Sequence, residues 1–150
     1  MTEKINVEVS HRFQAAAERV YDAWLDPDSI RVWMRASLKK MGLSGEIGQI
    51  HVNPAIGGDF LLTDMRDGQE TRHWGTYLEL ERPHRIVFTW IVDASEESDP
   101  SRVFLTIQPE DEGCTVTLRH ELDAKWIDYV AQTESGWSSM MQAAGELALS

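Results

Sequence analysis

Ile5, Val7, Val9 and His11 alternate with Asn6, Glu8, Ser10 and Arg12, a period of two that predicts a first strand with one apolar face, ended by Phe13. From Ala15 the period lengthens: Ala17, Val20, Tyr21 and Trp24 fall at helical spacing, and Pro27 stops that helix near Leu25. Asp26 before Pro27 starts a second short helix, since Asp caps free backbone N–H groups and Pro suits the first turn. Ile30, Trp33 and Met34 form its apolar face. Arg35 to Gly48 has no clean period and is expected to be a mobile loop leading into a strand at Gln49 to Val52.

Between Gly57 and Val92 turn residues punctuate three apolar-rich runs. Phe60, Leu62 and Asp64 alternate with Asp59, Leu61, Thr63 and Met65 before Asp67-Gly68, a strong hairpin signal because both residue types tolerate positive φ. Arg72 to Glu81 is the expected partner strand. Arg85 to Asp93 follows, with Ile86, Phe88, Trp90 and Val92 on one face. Asp93 to Pro100 is too charged to pair and predicts a solvated loop. Val103 to Ile107 and Thr115 to Leu122 form a last hairpin, in which Val116, Leu118, His120 and Leu122 share a face. Asp123 then caps a long C-terminal helix with Trp126, Val130, Thr133, Trp137, Met140, Met141, Ala144 and Leu147 along one stripe. Gly136 inside that helix costs about 1 kcal/mol relative to Ala, a cost that close approach of helix to sheet would offset. The order β-α-α-β-β-β-β-β-β-α makes an α+β protein, a curved antiparallel sheet wrapped around a terminal helix, in one domain over residues 1–150.

Composition narrows the function more than it defines it. A chain of 150 residues, 42% apolar, is long enough to bury roughly 68 to 70% of its unfolded surface without staples. The single Cys114 excludes an internal disulfide, and no apolar run is long enough for a signal peptide or membrane span, so a soluble cytoplasmic protein is expected. A net charge of −11 opposes nucleic acid and anionic lipid as partners. Six tryptophans must either fill a core or line a pocket.

The order of elements and several local motifs resemble one family. Val20-Tyr21-Asp22-Ala23-Trp24 precedes Asp26-Pro27-Asp28 and Trp33. Gly57-Gly58-Asp59-Phe60, Gly75-Thr76-Tyr77-Leu78-Glu79-Leu80, Pro83 with Arg85-Ile86-Val87-Phe88-Thr89-Trp90, and Gly136-Trp137 follow in order. Over nearly its whole length the chain resembles the helix-grip superfamily of START and Bet v 1-like domains, within it the branch named for the activator of Hsp90 ATPase. The resemblance implies a helix-grip fold and binding of hydrophobic small molecules between helix and sheet; some members are cyclases, hydrolases or co-chaperones. The second, N-terminal domain through which the full activator contacts its chaperone has no room here.

The period-2 pattern turns Phe60, Leu62, Trp74, Phe88, Trp90, Phe104 or its neighbours, and His120 toward Trp137 and Met141 of the helix, with Trp33 and Met34 capping one end. So many bulky rings on one concave surface are hard to pack without voids. These residues are the expected ligand-binding set, and no cofactor, metal or catalytic residue is expected. His120 on the apolar face is most simply a neutral, hydrogen-bonded histidine, alternatively one that orients a ligand carbonyl or hydroxyl. Arg35, Lys39 and Lys40 form the main basic cluster, which would draw in an anionic amphiphile if it were not simply a solvated loop. Acidic neighbours Glu110, Asp111 and Glu112 should raise the pKa of Cys114 and blunt it. The leading expectation is a non-catalytic binding protein for a hydrophobic small molecule. Its rivals are a cyclase- or hydrolase-type enzyme using His120 with Asp64 or a pocket tyrosine, and an interaction module that forms a homodimer or contacts a chaperone.

Overall fold

The computed structural model describes residues 3–149, so the expected limits at 1 and 150 lie outside them. The elements are β1 (Lys4–Phe13), α1 (Ala17–Ala23), α2 (Pro27–Lys40), β2 (Ile47–Val52), β3 (Asp59–Arg66), β4 (Gln69–Glu81), β5 (Arg85–Trp90), β6 (Ser101–Glu110), β7 (Gly113–Asp123) and α3 (Val130–Leu149). The seven strands form one antiparallel sheet in the order β1-β7-β6-β5-β4-β3-β2. From β2 to β7 each strand pairs with its neighbour in sequence, as hairpins dictate; β1 alone returns across the sheet to pair with β7. The inward residues of the strands, the apolar faces of α1 and α2, and the C-terminal half of α3 join in one hydrophobic core. This is the helix-grip fold. Among the described residues no helix is long and apolar enough to cross a membrane.

Local chemistry explains the joints. The Asp26 carboxylate accepts from the Ser29 backbone N–H at 2.9 Å and from its hydroxyl at 2.8 Å, and Pro27 occupies the first turn of α2. The helix continues to Lys40 through the segment expected to be a loop. Arg35, Ala36, Leu38, Lys39 and Lys40 are good helix formers, and Ser37 and Leu38 extend the buried stripe of Trp33 and Met34 by one turn. Arg35, Lys39 and Lys40 are therefore exposed on the last turns of a helix, where Lys39 and Lys40 favour the negative end of its dipole. Asp67 and Gly68 take φ of 52° and 80°, so β3 and β4 are joined by two residues with Arg66 opposite Gln69.

Two expectations about the last helix change. Asp123 caps a 3₁₀ turn, Ala124–Tyr129, by accepting from the Lys125 N–H at 3.0 Å, and Trp126 is non-helical (φ −92°, ψ 16°). The stripe beginning at Trp126 is thus broken, and α3 starts four residues later. The close approach of helix to sheet occurs at Gly145, where a Cβ would run into the Phe13 ring of β1, whereas a Cβ at Gly136 would meet open space. Alanine at the two sites should act in opposite directions. Gly136→Ala is expected to raise stability by up to about 1 kcal/mol and Gly145→Ala to lower it by about 1 kcal/mol or more through overpacking, both read from thermal unfolding midpoints.

Candidate functional site

The interior expected to be hollow is filled. Phe60 meets Phe88 edge-on with centroids 5.7 Å apart and Tyr77 at 5.4 Å, Phe88 meets Trp137 at 6.4 Å, and Trp90 meets Trp137 at 4.8 Å. What remains between them is a void of about 30 Å³, bordered by Trp33, Phe60, Leu62, Phe88, Trp90 and Trp137, with Trp24, Ile30, Tyr77 and Ile86. That is room for roughly two water molecules. A second void of about 50 Å³ lies beside it, with Met34, Leu62, Asp64, His73, Trp90 and Met140 on its walls. Met141 is 1% exposed within the core. Trp33 donates from its indole N–H to the Ala23 carbonyl at 2.8 Å, which ties α2 to the end of α1.

Trp74 faces the other way. Because the turn is two residues long, even-numbered residues of β3 pair with odd-numbered ones of β4, Phe60 with Gly75 and Leu62 with His73. His73, Gly75 and Tyr77 therefore point inward, and Trp74 lies on the convex face near Leu61 and Thr76. Phe104 is likewise outside, between the guanidiniums of Arg119 (4.1 Å from its centroid) and Arg85 (5.8 Å), while Val103 and Leu105 fill the core.

A large open space lies at one end of the grip. The first two turns of α3 bury no residue before Trp137, and between them, the preceding 3₁₀ turn and the sheet runs an open groove of about 820 Å³. Trp90, Val92, Leu122, Trp126, Tyr129, Trp137, Met41 and Met140 line it, with His73, Arg66, Glu96, Ser101 and His120 among its polar members. Trp126 and Tyr129 pack edge-to-face at 5.5 Å, and Tyr129 is half exposed. Trp126 and Met140 were expected on the helical stripe but not in the binding set; the break at Trp126 and the late start of α3 bring both to this groove. His73 and Tyr77 were missed, although the length of the Asp67-Gly68 turn carried the parity that places them.

His120 anchors this end of the helix. The Trp137 indole N–H donates to its Nδ1 at 3.0 Å, so Nε2 carries the proton and faces the Ser101 hydroxyl at 2.8 Å, which in turn donates to the Trp90 carbonyl at 2.7 Å. One relay joins α3, β7, β6 and β5. Burial pushes the His120 pKa down to about 4, so the ring is neutral, and both nitrogens are engaged within the protein. No position on the ring is left for acid–base work on a ligand.

A second polar cluster sits on β3 and β4. Asp64 is fully buried; Arg66 donates to it from Nε at 2.7 Å and from a terminal nitrogen at 3.3 Å, and His73 Nε2 faces its second oxygen at 3.4 Å. Burial alone would raise the Asp64 pKa, but His73 and Arg66 together outweigh it and hold the carboxyl below its ordinary value. His73 also stacks on Trp90, centroids 5.0 Å apart at 17°. Burial raises the Tyr77 hydroxyl pKa, and burial before Glu110 raises that of the fully enclosed Cys114 thiol, so the desolvation of Cys114 outweighs the acidic neighbours named from the sequence. Among the described residues no three His, Cys, Asp or Glu side chains gather as metal ligands would.

No curated protein sequence matches the chain. Solved structures do. The chain is similar to a protein of unknown function, SA2116 from Staphylococcus aureus (TM-score 0.80, 17% identity, 98% of this chain and 94% of that one). It is similar to Ara h 8.0201 (TM-score 0.68, 12% identity, 98% and 99%) and to an HSP90 activator, PFC0360w from Plasmodium falciparum (TM-score 0.59, 21% identity, 77% and 71%). At these identities the likeness concerns the fold. In sequence, residues 14–145 match the model of one family, and on that match the chain belongs to the Activator of Hsp90 ATPase homolog 1-like protein family.

Proposed function

We propose that the protein binds a small apolar or aromatic molecule in the open groove between the first turns of α3 and the sheet. One observation carries this: a cleft of about 820 Å³ whose walls hold Trp90, Trp126, Tyr129 and Trp137, outside a core that is already closed. Its size falls within the range of about 300 to 1,000 Å³ usual for ligand sites. Met41 and Met140 at its edge suit a site that adapts to more than one shape. Membership of a family and fold that hold both hydrophobic-ligand binders and Hsp90 activators supports the reading. The engagement of both His120 nitrogens speaks for binding over acid–base chemistry at that residue. A ligand of about 20 heavy atoms at roughly 0.3 kcal/mol each would bind with about 6 kcal/mol, in the tens of micromolar.

Gly136 supplies the test, because it lines the groove and a Cβ there meets nothing within 4 Å. Aromatic hydrocarbons and fatty acids titrated into the protein should quench or shift its tryptophan fluorescence. Gly136→Leu should weaken the best of them at least about tenfold, a loss of about 1.4 kcal/mol, without lowering the unfolding temperature. No response to any probe, or undiminished binding by the variant, would reject the groove as the site.

A further inference from the structure

We propose that the groove selects aromatic molecules bearing a hydroxyl or N–H donor, which hydrogen-bond to Nδ1 of His73. This rests on the groove being a ligand site and adds the chemistry recognised there. His73 is 9% exposed, and its Nδ1 is buried with no hydrogen-bond partner in the protein. Buried polar atoms are nearly always paired, so an orphan beside a cleft points to a missing partner. The opposite nitrogen determines what that partner must be. Nε2 faces the Asp64 carboxylate, which only accepts, so the ring proton sits on Nε2. Arg66 already matches the Asp64 charge one for one, so the cluster needs no second cation. Nδ1 is left as a lone pair, which calls for a donor.

Trp90 sets the shape of the ligand. Its indole borders the groove and both interior voids, and it covers the His73 ring by stacking. With Met41, Arg66, Met140 and His73 itself, it stands between the open space and the 50 Å³ void. A sideways shift of this half-buried ring joins the two and uncovers the His73 edge. The slot it leaves is bounded by the stacked faces of His73 and Phe60, with Trp137 tilted against it at 57°, so a planar ring is what refills it. Trp24 Nε1, also buried without a partner, differs: it adjoins only the 30 Å³ void, where a water would serve it.

Ligand-observed NMR titration of the full chain with 2-naphthol, 2-methoxynaphthalene and naphthalene separates the possibilities. The naphthol should bind about five- to tenfold more tightly than its methyl ether, the margin of one hydrogen bond. His73→Phe, which keeps the stacked ring and removes the acceptor, should erase that margin while naphthalene binding stays within about twofold. Equal affinity of naphthol and ether for the wild-type chain overturns the inference and leaves the groove reading standing; this comparison decides even if the variant folds poorly. A margin that persists in His73→Phe places the acceptor elsewhere and also overturns it. Failure of all three probes to bind overturns the inference, and with it the groove reading if fatty acids fail as well.

Discussion

Replacing His120 by alanine is expected to cost about 3 kcal/mol of stability near neutral pH, and the deficit should shrink below about 1 kcal/mol by roughly pH 4.5. The neutral-pH cost has two sources. Truncation opens a cavity in a core position 2% exposed, and it strips the Trp137 N–H of its acceptor. The pH dependence follows from the folded-state pKa of about 4 against the ordinary 6.5. Because the folded value is depressed, the unfolded chain takes up the proton first as pH falls. Full stability is present above about 6.5 and is lost progressively down to about 4, where further acid no longer distinguishes the two states. At about pH 4.5 the wild-type protein has given up roughly 2 to 3 kcal/mol by this route, and the variant, lacking the ring, has given up none of it. Urea unfolding of both proteins across this range, analysed as their difference, isolates His120 from the other histidines. A deficit that stays constant with pH would mean that the folded protein takes up the proton at His120 without penalty, and that the relay from Trp137 to Trp90 does not depend on a neutral ring. Trp137→Phe provides a second view, since it leaves His120 Nδ1 as the orphan and should make protonation easier. Its acid loss is expected to be smaller than that of the wild type.

Hairpin chemistry was the most legible part of the fold. Asp67-Gly68 and the alternating runs on either side of it are local signals, and local signals survive folding because the turn closes before distant packing is decided. Asp26-Pro27 works the same way, through a capping carboxylate that lies within three residues of its donor, the Ser29 N–H. Three features failed for want of information that no single segment carries. The last turns of α2 present only Ser37 and Leu38 to the interior, too few apolar positions to show a period, and Ser37 is held by Ser139 across the helix interface. Trp74 was turned inward by alternation read without the parity inherited from the turn, which puts small Gly75 and polar His73 inside instead. Gly136 and Gly145 are indistinguishable as letters in a helix, and only the position of Phe13, more than a hundred residues away, tells them apart. The set of rings that faces inward was largely visible; that they would close on one another, and that space would open at the end of the helix, depends on packing that alternation does not encode.

Asp64→Ala should lower stability by about 2 to 3 kcal/mol above pH 4, less than the roughly 3 to 5 kcal/mol typical of a fully buried pair that loses one member. Arg66 is a third exposed and can turn to water when its partner is removed, which spares part of the penalty. The buried His73 has no such freedom and loses the group facing its Nε2. Asp64→Asn keeps the shape and one acceptor and should cost less, about 1 to 2 kcal/mol. Since the folded-state pKa of Asp64 lies below its ordinary 3.8, its contribution is present above that value and disappears as pH falls through the lower one. The Asp64→Asn deficit should therefore fade in a more acidic window than that of His120, so that the two groups lower the stability of the wild-type chain over two different pH ranges. The same variant leaves the Arg66 charge unmatched on the wall of the groove, where it would attract an anion. Binding of 2-naphthoate should then strengthen relative to naphthalene, by a margin that falls as salt is added. If Asp64→Asn instead left both the stability and the naphthoate preference unchanged, the carboxylate would be neither a structural anchor for this corner of the sheet nor the group that balances the Arg66 charge at the groove wall.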